Sequence, residues 1–239
     1  PQETIRIEML FSSIKYGRIV PKDIVRGSYL DFGFDDNLAK QWGEQVYGEW
    51  AKSYTSFIKD VERSGAYADF WKKRDPLSFY CGYAYDKANE YFRARGKGND
   101  YFDSLKFEID NIVASSPRIP DNIVVYRALG DIDFWDIKKL NALRTPFVEL
   151  APMCTSLTTT ILTREEDDPS SNFSVCHYVL KIFCPKGAMA TYIDEVGKYV
   201  ESLNRGEMEL IFPSGSKLFL TAYPYKMWGK TVIECQLVL

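Results

Sequence analysis

A single histidine, His177, serves the whole chain of 239 residues. That scarcity excludes a His-based metal cluster, and it forces any Ser-His-Asp or Cys-His nucleophile pair onto one imidazole. His177 lies in Val175-Cys176-His177-Tyr178-Val179-Leu180-Lys181-Ile182, which alternates like a strand and reads as structural. Cysteines are few and odd in number: Cys81, Cys154, Cys176, Cys184 and Cys235 show no zinc-like spacing and read as free thiols in a reducing compartment. An excess of positive charge is also lacking. The 30 Lys and Arg stand against 33 Asp and Glu, a net charge of -3, which excludes the basic face of a general nucleic-acid binder. No apolar run reaches the roughly 18 residues of a membrane span. The opening Pro1-Gln2-Glu3-Thr4 is not a signal peptide and reads as a boundary or a mature start. Internal repeats and low-complexity tracts are missing as well.

What remains is ordinary globular composition with enough length for one large domain or two small ones. The first half has helical period. Asp35-Asp36-Asn37 reads as a helix start, followed by Leu38, Ala39, Trp42, Val46, Tyr47 and Trp50. A second helix is expected over about Ser56 to Trp71. Pro76 opens a third, closed by Gly96 and Gly98, and a last one runs from Tyr101 to Ala114. The second half is β-branched and punctuated by Pro, Gly and Ser. Strands are expected at 123–127, 147–150, 175–183, 207–212, 217–223 and 231–238. Helices followed by strands indicate an α+β fold. The polar stretch from Thr163 to Asn172 is an exposed loop.

Three short motifs stand in order through the β half. Tyr126-Arg127-Ala128-Leu129-Gly130 puts an arginine at a strand end. Met153-Cys154-Thr155-Ser156-Leu157-Thr158-Thr159-Thr160 is a Thr/Ser-rich strand. Gly206-Glu207-Met208-Glu209-Leu210-Ile211-Phe212-Pro213-Ser214-Gly215 carries two glutamates before an apolar run and a turn. On a strand, Glu207 and Glu209 would project from one face, where like carboxylates repel unless a cation or a chemical task compensates. Taken singly, each motif is better explained by a salt bridge, by β-propensity or by a solvated strand end.

In this order they resemble the Arg–Ser–Glu class of mono-ADP-ribosyltransferases. The lead-in Ile119 to Arg127, the segment Lys181 to Ala188 with Tyr192-Ile193, and the turn Phe212 to Leu218 are similar to that family as well. The helical half, with Ala39 to Gly43, Tyr47 to Trp50, and Tyr80, Asn89 and Arg93, resembles the enzymatic component of bacterial binary, actin-modifying toxins. The resemblance covers about residues 35 to 239. It implies one domain over 1–239, with helices over 1–118 packed on a split, mainly antiparallel β-sandwich over 119–239. It implies NAD as substrate, no metal, and ADP-ribose transfer to an arginine of a target protein, with actin as the expected target. A toxin or effector, secreted or injected and acting in a host cytosol, is the corresponding setting.

The implied catalytic residues are Arg127, Ser156, Glu207 and Glu209. The implied NAD-binding residues are Tyr80, Asn89, Arg93, Arg127, Ala128, Leu129, Cys154, Thr155 and Glu209. Cleavage of the nicotinamide–ribose bond passes through an oxocarbenium-like transition state with a neutral leaving group, so a preorganised carboxylate, Glu209, is what the chemistry needs. Arg127 would fork onto the pyrophosphate, and Glu207 would activate the incoming guanidinium. Three departures from the family pattern stand out. Cys154 replaces the first serine of Ser-Thr-Ser. The Phe/Arg pair of the following loop has only Arg164 and Phe173 as stand-ins. Leu203-Asn204 lacks a substrate-reading aromatic. Tyr80 and Asn89 are nine positions apart, on opposite faces of a continuous helix, and share a site only if the helix starts after Tyr80. An NAD glycohydrolase and a degenerate transferase fold that only binds partners are the alternative readings.

Overall fold

The computed structural model describes residues 26–64, 75–96, 98–130, 145–163, 176–200, 203 and 206–239. Asp35 starts the first helix by accepting the Leu38 amide at 2.9 Å. Helix α1 then runs unbroken over Asp36–Ser64, where two helices are expected. The expected second helix, about Ser56 to Trp71, continues the first to Ser64, and its remainder lies outside the described residues; at the join, Thr55 donates to the Ala51 carbonyl at 2.8 Å and Ser56 to that of Lys52 at 2.9 Å. Ala39, Trp42, Tyr47, Ala51 and Thr55 are buried at helical spacing. Gly43 faces Tyr192, and a Cβ there would lie 2.1 Å from the ring. Glycine is what lets α1 sit this close to the sheet.

Pro76 does open the next helix, with Asp75 as its N-cap accepting the Ser78 amide at 3.1 Å. This short α2, Pro76–Phe79, passes into a π-helical turn over Tyr80–Ala84 and then into α3, Tyr85–Arg93. Asn99 caps α4, Asp100–Ser115.

Among the described residues nine strands follow: β1 Ile123–Leu129, β2 Phe147–Glu149, β3 Met153–Ser156, β4 Tyr178–Cys184, β5 Thr191–Tyr192, β6 Glu209–Phe212, β7 Ser216–Leu220, β8 Tyr225–Met227 and β9 Lys230–Val238. Two short helices interrupt them, α5 at Thr160–Thr163 and α6 at Ile193–Gly197. The order across the sheet is β2-β7-β9-β4-β1-β3-β6-β5, with β8 beside β9. Every pairing is antiparallel except β4 with β9. The strands β5 and β8 escape sequence reading because two or three residues carry no period. The expected strand at 207–212 begins only at Glu209.

The join between β1 and β3 positions the site. Those strands meet through one residue pair, Tyr126 with Ser156. Past it, Arg127, Ala128 and Leu129 stay paired to β4, whereas Cys154 and Thr155 stay paired to β6. The sheet parts there into two halves and leaves a wedge. One apolar core lies between α1 and the sheet around Tyr47, Tyr192 and Phe212, and a second lies under α2 to α4 around Leu77, Leu105 and Ile109. The observed architecture is the expected α+β one, with helices on a mainly antiparallel, split sheet.

Candidate active site

The wedge is a cavity of about 370 Å³. Arg127, Ala128 and Leu129 line it from β1, Cys154, Thr155 and Ser156 from β3, Asn89 and Arg93 from α3, Glu207 from the turn before β6 and Glu209 from the first position of β6. Tyr80 does not line it. Tyr126, the aromatic of the first motif, does, as do Tyr85, Asp86, Cys81 and Cys176, which the sequence offered no reason to place at the site. His177 is exposed, lies just ahead of β4 and takes the Thr231 amide on its carbonyl at 2.9 Å. Arg164, Phe173 and Asn204 lie outside the described residues, and Leu203 is buried in the helical core.

Arg127 is only 9% exposed, so its charge needs a partner. Glu149, the last residue of β2, supplies one: its Oε2 lies 3.2 Å from Arg127 Nη2. The same carboxylate takes Arg93 in a bidentate fork, with Nε to Oε1 and Nη2 to Oε2 both at 3.1 Å. The Ala151 amide donates to it at 3.2 Å. The Nη1 of Arg127 is buried and has no hydrogen-bond partner among the described residues. A buried donor without a partner, on a residue that lines the cavity, suits an anionic ligand.

Glu207 and Glu209 reach the cavity by a different route from the one expected. Strand alternation does not align them, because Glu207 precedes the strand and Met208 between them has φ 52, in the left-handed region. Methionine pays for that conformation with strain, and such strain persists only where neighbours hold it. Here they do. Asp194, in the first turn of α6, accepts the Glu209 amide at 2.7 Å and also that of Met208. Ser156 Oγ donates to the Glu207 carbonyl at 2.8 Å, and the Leu157 amide to that of Met208 at 2.9 Å. The Met208 side chain is buried and takes the Tyr192 hydroxyl on its sulfur at 3.2 Å. Ser156 therefore acts on the turn rather than on a carboxylate. Thr155 is likewise tied to backbone, donating to the Leu210 carbonyl at 2.8 Å.

Cys154, on β3 opposite Ile211, stands at the cavity wall where the family pattern has a serine. Its thiol hydrogen-bonds Glu209, and its pKa is pushed up by burial, by the Glu209 charge and by that bond. It is a protonated donor at neutral pH, not a nucleophile. Glu209 itself is 8% exposed, whereas Glu207 stands nearer solvent.

Tyr80 and Asn89 do meet, without the helix starting after Tyr80. The Tyr80 hydroxyl donates to Asn89 Oδ1 at 2.7 Å and to the Pro152 carbonyl at 3.1 Å. The π-helical turn between them takes up an extra residue and rotates α3 relative to α2, which brings the two onto one side. Tyr80 is fully buried and holds Asn89 at the cavity wall.

Residues 39–231 match the family model of the ADP-ribosyltransferase exoenzyme. The chain belongs to that family. NAD is the substrate of this toxin family. No curated protein matches it by sequence. Among solved structures it is similar to Plx2a, an ADP-ribosyltransferase toxin from Paenibacillus larvae, at 19% identity and TM-score 0.60, covering 88% of this chain and 100% of that one. It is similar to BECa of a binary enterotoxin of C. perfringens, solved with NADH, at 18% identity and TM-score 0.61, covering 88% of this chain but 50% of that one. The S. aureus C3stau2, solved with NAD, matches at 17% identity and TM-score 0.57, covering 88% of this chain and 99% of that one. At these identities the structural likenesses establish the fold, an ADP-ribosyltransferase toxin fold. Among the described residues, no group of His, Cys, Asp and Glu is placed to hold a metal, and no helix is long and apolar enough to cross a membrane.

Proposed function

We propose that this protein, acting as one domain, cleaves the nicotinamide–ribose bond of NAD and transfers ADP-ribose to an arginine of a target protein. The observation that carries the reading is the meeting of Arg127, with one buried donor unpartnered, and the carboxylates Glu207 and Glu209 in one cavity. The unpartnered guanidinium nitrogen suits the pyrophosphate. Glu209, shielded and hydrogen-bonded by Cys154, offers a fixed negative charge to the ribose as its bond to nicotinamide stretches and positive charge grows at the anomeric carbon. Nicotinamide departs neutral, so no acid is required. Glu207, closer to the mouth, accepts a proton from the incoming guanidinium as its nitrogen bonds to that carbon. Asn89 and Arg93 supply the remaining polar wall for the nucleotide.

A second carboxylate supports arginine as the acceptor, because a cationic side chain must lose a proton to attack. Actin is the first target to test, on the likeness of the helical half to binary toxins, and a host cytosol is the corresponding place of action. The deciding experiment mixes the protein with labelled NAD and a cell lysate, with purified actin in parallel. Label on a protein that is released by arginine-linkage chemistry supports the reading. Free ADP-ribose alone would make it a glycohydrolase, and no turnover would make it a binding module.

A further inference from the structure

Three elements distant in sequence converge on one buried carboxylate. Arg93 ends α3, Arg127 lies on β1 and Glu149 ends β2, a strand hydrogen-bonded only to β7 within the sheet order. Glu149 is 5% exposed and does not itself line the cavity, but both arginines that it holds do. Its two oxygens take three guanidinium nitrogens at 3.1–3.2 Å and the Ala151 amide at 3.2 Å. Two positive charges against one negative leave the group net cationic, so it retains attraction for a phosphate. The tie holds both guanidiniums and commits Arg127 Nη2, so that the buried Nη1 is left as the donor without a partner.

We propose that Glu149 is the positioning residue of the nucleotide site, a buried clamp on Arg93 and Arg127 that sets how tightly the cavity grips the pyrophosphate of NAD. The proposal rests on the reading of this cavity as an NAD site. Its physical content lies in a sign. If Glu149 only offset charge or competed with phosphate for the arginines, neutralising it would strengthen binding. If it positions them, neutralising it weakens binding: a glutamine amide nitrogen cannot accept from either guanidinium, and the two cations then repel each other and lose their common orientation.

The test titrates NAD and follows its hydrolysis for the wild type, Glu149→Gln, Glu149→Asp, Arg127→Ala and the Arg127→Ala/Glu149→Gln double variant, with a melting curve for each. Glu149→Gln is expected to weaken NAD binding and raise its KM roughly tenfold, the scale of one charge-assisted hydrogen bond, with a smaller change in kcat. Glu149→Asp recovers part of the affinity. In the Arg127→Ala background Glu149→Gln costs less than it does in the wild type, the remaining loss being the part that runs through Arg93. Unchanged or tighter NAD binding by Glu149→Gln overturns the proposal. So does a full additional loss in the double variant, or a failure of both single Glu149 variants to fold, which would make Glu149 a stability residue. A wild type that neither binds nor hydrolyses NAD would instead refute the site's reading.

Discussion

Glu209 and Glu207 differ in burial, in partners and in backbone position, so they are not interchangeable carboxylates. Glu209 opens β6, is 8% exposed and takes the Cys154 thiol. Glu207 lies outside the strand with its carbonyl held by Ser156. Glu209→Gln removes the charge proposed to face the developing cation while preserving shape. It is expected to lower both NAD hydrolysis and transfer by about 10²–10³, the usual cost of losing a main electrostatic group, with an unchanged melting temperature. Activity above about a tenth of wild type would remove Glu209 from that role. Glu207→Gln is expected to lose transfer while keeping measurable hydrolysis, because water needs less activation than a guanidinium cation. The ratio of the two rates in one preparation is the measurement, and an equal drop in both would show that the pair acts as a unit. Cys154 answers the question its substitution raised: a thiol is a weaker donor than a hydroxyl, yet it stands where it can bond Glu209.

At the scale of elements, the strained turn at Met208 depends on α6. Asp194 accepts two successive amides, those of Met208 and Glu209, and burial raises its pKa more than those bonds lower it. Asp194→Asn leaves only one acceptor oxygen and sets an amide donor against a backbone donor. It is expected to lower kcat about tenfold with little change in KM for NAD, since it moves Glu209 but neither arginine. Steady-state kinetics on NAD hydrolysis decide this, and a change confined to KM would contradict it. The same turn shows where sequence reading stops. The passage from helices to strands, the Pro76 start and the helix start at Asp35-Asp36-Asn37 were legible, because capping chemistry and hydrophobic period are local. The three motifs were legible only through their resemblance, taken in order, to a known family. The route by which Glu207 and Glu209 come together was not, since a left-handed methionine has no signature in the chain. The π-helical turn that unites Tyr80 with Asn89 has none either. Glu149 left one faint signal, an acidic residue inside Phe147-Val148-Glu149-Leu150, but its partners sit 56 and 22 positions away and no local rule names them.

Across the whole molecule, the two halves of the parted sheet are braced by a segment ahead of α1. Leu30 pairs with the edge of β1 at Ile123, its amide donating to the Asn122 carbonyl at 2.8 Å. The Gly33 carbonyl takes both the amide and the hydroxyl of Thr159, beyond β3, at 2.7 and 3.0 Å. Between them, Asp31 accepts the Tyr126 hydroxyl at 2.7 Å and Lys181 Nζ at 2.9 Å, so one carboxylate reaches β1 and β4. Burial acts to raise the Asp31 pKa, but the bonds to Tyr126 and Lys181 and the lysine charge outweigh it and hold the group below its ordinary 3.8. A carboxyl whose pKa is lower folded than unfolded contributes stability that is present above the unfolded value and lost as pH falls through the folded one. Asp31→Asn is therefore expected to lower the melting temperature by a few degrees at pH 7, corresponding to roughly 1–2 kcal/mol for hydrogen bonds to a charged group. The gap between variant and wild type should narrow steadily as the pH is taken below about 4, where the wild-type carboxylate protonates as well. Melting curves at closely spaced pH values measure it. A gap that stays constant down to the lowest pH at which the wild type folds would mean that Asp31 braces the wedge through shape and neutral hydrogen bonds, and that its charge contributes nothing.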